Sequence, residues 1–208
     1  MKIHLLLTFL FCASHMAYAG KIREQQDLWK LSLQQEQASK LSDAITSTTN
    51  FVELGGDKYL GAIRLGWLYY NNKDFKNAEK YYKIAVRYGR GSITPILGLA
   101  NTYNTSKEYI KAAKTYKSVL SIDKNNYTAI IALAGIYYSS RDYRSSGSLY
   151  KKVSTLYPED TDALSGLAWS LYFQGKKDES KVLFARLLTL SSDYAYAEKG
   201  FTLSGGKL

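Results

Sequence analysis

Chemically versatile side chains are scarce in this chain. Its 208 residues include one Cys, two His, two Met and two Pro. Cys12, His4, His15, Met1 and Met16 all stand before position 20. That stretch reads as a removable leader: Lys2 supplies a positive end, Leu5 to Ala13 an apolar run, and Ala17, Tyr18 and Ala19 a small-x-small cleavage site. The run is too short for a permanent membrane anchor. Cys12 follows Phe11 rather than the small residue that lipidation requires. Cleavage is therefore expected before Gly20, with export to a bacterial periplasm.

Once 1–19 is removed, the chain has no His, Cys or Met. This excludes a disulfide framework, a Ser-His-Asp or Cys-His mechanism, and a zinc site built from imidazole or thiolate. No glycine-lysine phosphate loop is present, and Gly89, Arg90 and Gly91, like Gly205 and Gly206, read as turn and tail. No cofactor or metal is expected. Acid is also in the minority, with 28 Lys and Arg against 18 Asp and Glu and a formal charge of +10. Such a surface is either a solvated lysine coat or one drawn to an anionic membrane or wall polymer. Nucleic acid is not expected as the partner of an exported chain.

What the chain does have is a period. Residues 59–194 divide without a gap into 59–92, 93–126, 127–160 and 161–194, a spacing of 34. The seventh place holds Leu65, Leu99, Leu133 and Leu167, and the eighth Gly66, Ala100, Ala134 and Ala168. The eleventh holds Tyr69, Tyr103, Tyr137 and Leu171, and the twentieth Ala78, Ala112, Ser146 and Ser180. The twenty-fourth holds Tyr82, Tyr116, Tyr150 and Phe184, and the twenty-seventh Ala85, Val119, Val153 and Leu187. Small residues at eight and twenty let two helices approach closely, and large ones at seven, eleven, seventeen and twenty-four fill the space around the contact. Each copy predicts two helices, at 59–71 and 75–88 in the first, with turns at Asn72, Lys73 and Asp74 and at the equivalent places later. Pro95 sits in a first helical turn, and Pro158 ends the helix before it.

This pattern resembles the tetratricopeptide repeat. The resemblance implies an all-α, right-handed superhelical solenoid of helix–turn–helix units. It covers 59–194. Ahead of it, 20–58 reads either as a degenerate capping repeat (25–58, with Leu31, Ala44 and Phe51 in register) or as one long self-associating helix. Beyond it, 195–208 reads as a short lid helix and tail, with Ala197 and Phe201 covering the last repeat.

The resemblance also implies where a partner would lie. First helices line a concave groove through places two, five, nine, twelve and thirteen. Those places give Ile63, Trp67, Tyr70, Leu97, Asn101, Asn104, Ile131, Tyr138, Trp169, Tyr172 and Phe173 as candidate partner-binding residues, an aromatic and apolar surface suited to a peptide or helix. The rival role for Trp67 and Trp169 is packing between repeats. The carboxylate clamp of co-chaperone members is missing, since only Asn101 matches it. On the second helices Lys80, Lys83, Lys114, Lys117 and Lys151 form a basic convex face. Glu159, Asp160 and Asp162 could pair for glycoside chemistry, but they stand at a helix start, where negative charge is favoured, and no enzyme is expected. The resulting expectation is a non-catalytic scaffold of the cell envelope that binds a protein partner. The alternative is a structural adaptor of pilus, polysaccharide-export or division machinery that oligomerises through its N-terminal helix.

Overall fold

The computed structural model describes residues 2–190 and 195–207, with side chains described over 18–190 and 196–207. The side chains of 1–17, on which the expected leader falls, and the end of the fourth copy, 191–194, lie outside the described residues. The chain divides into two compact units, Met1–Ser106 and Lys107–Leu208. Among the described residues both are all-α, the solenoid class that the period implies.

The first unit holds α1 (Lys2–Gln37), α2 (Leu41–Glu53), α3 (Lys58–Asn71), α4 (Phe75–Tyr88) and α5 (Ile93–Thr105). The second holds α6 (Tyr109–Ile122), α7 (Tyr127–Ser139), α8 (Tyr143–Leu156), α9 (Thr161–Phe173), α10 (Lys177–Leu190) and α11 (Ala195–Leu203). No helix of the described residues is long and apolar enough to cross a membrane.

Five helix starts are capped by side chains. Asp57, Asp74, Asn126, Asp142 and Asp160 each accept a bond from the backbone N–H three residues on, at 2.8 to 3.1 Å. Such a cap stabilises a helix by about 1 kcal/mol. The turns within pairs share one device, a central residue in the left-handed region: Ser39 at φ 59°, Lys73 at 61°, Lys107 at 65°, Arg141 at 64° and Gly175 at 80°. Only the last is glycine, so the other four carry the usual penalty of about 1–2 kcal/mol.

Residues 20–58 are two helices rather than one. The chain leaves α1 at Gln37 and re-enters helix at Leu41 with neither Gly nor Pro between them, and α2 packs back along α1. Bonds from Ser39 N to Glu36 O and from Lys40 N to Gln35 O, both 2.8 Å, close the reversal.

Within each unit, consecutive pairs lock through a ring. The twenty-fourth-place aromatic of one pair lies against the eighth place of its own first helix and the sixth place of the next. In the first unit the Tyr82 ring sits between Gly66 and Gly98, where an added Cβ would come within 2.8 and 2.4 Å of it. In the second, Tyr150 meets Gly166 and Phe184 meets Gly200, at 2.5 and 2.3 Å by the same measure. Paired serines add a buried polar stitch: Ser146 Oγ lies 3.1 Å from Ser170 Oγ, and Ser180 Oγ 3.2 Å from Ser204 Oγ. Gly200 and Ser204 hold the sixth and tenth places of a fifth copy, so α11 continues the register in a single short helix.

The leading junction breaks this rule coherently. There the eighth place is Ser32, the twenty-fourth is Thr48, and the sixth place of the next copy is Arg64. The missing ring is replaced by the long side chain from the opposite wall. Ser32 Oγ lies 2.7 Å from Thr48 Oγ1, Arg64 Nε donates to Ser32 Oγ at 2.7 Å, and Arg64 Nη1 pairs with Glu36 Oε2 at 2.9 Å. The guanidinium also lies over the Trp29 ring, 5.5 Å from its centre. Arg64 is only 8% exposed, and its Nη2 is buried without a hydrogen-bond partner.

Candidate functional site

A concavity in the second unit is built by α7, α9 and α11, with Tyr150 of α8. One cavity of about 430 Å³ is lined by Ile131, Tyr138, Tyr150, Asp162, Ser165, Gly166, Trp169 and Tyr196. A second, of about 480 Å³, is lined by Tyr138, Trp169, Tyr172, Phe173, Tyr196, Lys199 and Leu203. They share Tyr138, Trp169 and Tyr196 and form one groove. The two volumes fall in the range of small-ligand pockets.

Its rings brace one another. Phe173 stacks on Tyr143 at 4.7 Å and on Trp169 at 6.0 Å, and Tyr138 meets Phe173 edge-on at 6.0 Å. Trp169 meets Tyr172 at 5.7 Å and is rooted edge-on against the fully buried Phe184 at 5.0 Å. Trp169 packs one side against the core and lines the groove with the other. Burial raises the Tyr138 pKa, and Tyr143 and Tyr150 add to the effect. The phenol therefore stays protonated, a neutral donor at the groove wall. Lys199 and Asp162 stand at the margins. Such a surface offers apolar contact with a few directed polar groups.

In the first unit the register positions are more tied down. Trp67 is 47% exposed, but its indole N–H donates to Glu36 Oε1 at 2.6 Å. Tyr70 stacks beside it at 6.3 Å, and its hydroxyl lies 3.0 Å from Thr105 Oγ1. Ile63, Leu97, Asn101 and Asn104 are half-buried. Phe173, at 47% exposure, is the most open of the second-unit aromatics expected in the groove.

The register positions therefore meet in two sets. Ile131, Tyr138, Trp169, Tyr172 and Phe173 share the second-unit groove, while Ile63, Trp67, Tyr70, Leu97, Asn101 and Asn104 belong to the first unit. Tyr196, Lys199 and Leu203 were not anticipated. Counting the period on from position 195 would have found them at places two, five and nine, the groove-facing places.

The lysines of the second helices are exposed but not uniform. Lys83 Nζ pairs with Glu79 Oε1 at 2.6 Å, a bond that raises its pKa. Lys80 lies over Tyr81 at 5.2 Å and Lys117 over Tyr137 at 5.5 Å. Asp160, one of the three clustered acids, caps α9 through Ala163 N at 2.8 Å and accepts from the Tyr127 hydroxyl at 2.7 Å. That bond is the main cause of the Tyr127 pKa being pushed up to about 12.

Family models for the tetratricopeptide repeat match residues 62–88, 96–126 and 162–193. The chain is a tetratricopeptide repeat protein. Solved structures carry the same fold. A tetratricopeptide repeat protein from Parabacteroides merdae is 18% identical with a TM-score of 0.77, over 88% of this chain and 74% of that one. MamA is 15% identical with a TM-score of 0.73, over 83% and 94%. YrrB, described as a TPR protein with an unusual peptide-binding site, is 12% identical with a TM-score of 0.71, over 84% and 90%. No curated protein sequence matches the chain. At such identities the likeness is one of fold.

Proposed function

We propose that this protein is a non-catalytic scaffold of the cell envelope that holds a peptide or helix of a protein partner in its aromatic groove. Tetratricopeptide repeats are generally an interaction fold, and YrrB is described as having a peptide-binding site. The observation that carries the reading is the continuous groove around Tyr138, Trp169 and Tyr196, in which Phe184 braces Trp169 and Tyr143 braces Tyr138. Rings held in place before binding lose little entropy on contact, which is what makes aromatic anchors effective. The envelope location rests on the leader 1–19.

Peptides selected from a displayed library against the protein would be measured by calorimetry. Replacing both Tyr138→Ala and Trp169→Ala should weaken them at least about tenfold. Equal affinity for the doubly substituted protein would remove the groove from the account. For the location, the native protein should be recovered from a periplasmic fraction beginning at Gly20. Recovery from the cytosol with 1–19 intact would overturn it.

A further inference from the structure

A second cavity of the second unit shares no residue with the groove. It has a volume of about 580 Å³ and lies between α8 and α10, with Leu167 and Leu171 of α9 beneath. Two departures from the repeat create it. At places twenty-one and twenty-two, earlier copies carry Glu79 with Lys80 and Ala113 with Lys114, whereas the third carries Gly147 and Ser148. At place eleven, the earlier copies carry Tyr69, Tyr103 and Tyr137, whereas the fourth carries Leu171.

The second loss has a specific consequence. Lys117, at place twenty-five of the second copy, sits over the ring of Tyr137, at place eleven of the third. The equivalent pair one repeat later is Lys151 and Leu171. The ring is gone, both residues line the cavity, and Lys151 is exposed at its mouth. Arg144 and Lys176 complete a cationic rim. The carboxylate on that rim, Glu179, is 3.2 Å from Lys176. Among the described residues neither Arg144 nor Lys151 has an ion-pair partner.

We infer that this cavity is a docking site for an acidic peptide segment carrying an aromatic side chain. The guest ring takes the volume that place eleven fills elsewhere, and the guest carboxylates meet Lys151 and Arg144. A ring beneath an ammonium gains cation–π attraction, and flanking carboxylates are drawn by the unpaired charges at a range set by salt. A peptide suits the cavity better than an acyl chain, because it is an open depression between two helices and its rim is charged along its length.

The test uses a fluorescein-labelled peptide Asp-Asp-Phe-Asp-Asp and anisotropy on the whole chain. The peptide should bind, should weaken as salt rises, and should bind at least tenfold tighter than its Phe-to-Ala counterpart. Lys151→Glu, at an exposed site, should weaken it tenfold or more. Leu171→Tyr, which restores the residue of the first three copies, should fill the cavity and abolish binding with helical content unchanged. Lys30→Glu, an equal charge change on exposed α1, should leave binding intact. No binding overturns the inference. So does loss of binding to the same degree in Lys30→Glu, or full binding in Leu171→Tyr together with Lys151→Glu. Displacement by dodecanoate with no preference for Phe over Ala would also overturn it, and would assign the cavity to fatty acids.

Discussion

At the leading junction Ser32, Thr48 and Arg64 meet. At the trailing junction Ala168, Phe184 and Gly200 meet. The three places of the repeat are the same, and the chemistry is opposite. Phe184 is wholly buried among Leu164, Leu187 and Ala197, and the glycine opposite admits its ring. Arg64 is nearly as buried, but its contact is a chain of hydrogen bonds ending at Glu36, with Nη2 left unsatisfied. An apolar lock gives stability to any sequence of the right volume. A polar one adds little net stability but penalises every misalignment, because any slip leaves a buried charge unpaired. The repeat therefore constrains volume at this contact, and polarity is free to vary provided that all three positions change together.

The largest expected effect comes from breaking the apolar side. Phe184→Ala should cost about 3–5 kcal/mol, as a fully buried aromatic leaves a cavity. Amide exchange should rise in α10 and α11 while α1 to α3 keep their protection, because stacked repeats couple chiefly to their neighbours. A uniform rise across both units would contradict the local picture.

Next comes a conversion of the polar side. Thr48→Tyr alone should clash with Arg64, and Arg64→Gly alone should leave a hole and an unpaired Glu36. The double substitution should rebuild a ring between small residues. Its coupling in a denaturation cycle should be favourable and within about 0.5–3 kcal/mol. Additive losses would mean that the three places are not one unit.

The turns give a smaller test. Lys73→Gly or Arg141→Gly should raise stability by up to about 1 kcal/mol by relieving left-handed backbone at a non-glycine residue. Gly175→Lys should lose a similar amount. Thermal midpoints moving the same way for all three would refute the account.

The smallest effect concerns pH. Hydrogen bonds from the side chain and backbone of Asn77 lower the pKa of Asp74, and those of Ser145 do the same for Asp142. A lowered folded value means the caps contribute fully above the unfolded value of about 3.9 and lose that contribution as pH falls through the folded value. Helical signal from α4 and α8 should therefore fray on acidification below about pH 4. Asp142→Asn keeps an acceptor without a charge and should flatten the dependence at α8. An unchanged acid profile would remove this link.

Much of the fold was legible because a period exposes itself. The leucines at place seven and the small residues at place eight are buried in every copy, and five helix starts coincide with Asp and Asn residues that cap them. The sixth place was not legible. Gly98, Ala132, Gly166 and Gly200 are small, but Arg64 breaks the column, and only the group facing each from the twenty-fourth place shows what the position does. The reversal at 38–40 was equally hidden. Ser39 carries no intrinsic preference for left-handed backbone, and the docking of α2 on α1 imposes it.

The repeat, the helix pairs and the absence of imidazole and thiol beyond position 19 are legible in the sequence alone, since each is a property of local pattern or of composition. Only the tertiary structure decided that Tyr196, Lys199 and Leu203 join Tyr138 and Trp169, and that the Trp67 indole is engaged by Glu36. It alone placed Leu171 and Lys151 on one cavity. The reason is that those outcomes depend on the distance between residues of different helices, which no single helix's pattern contains.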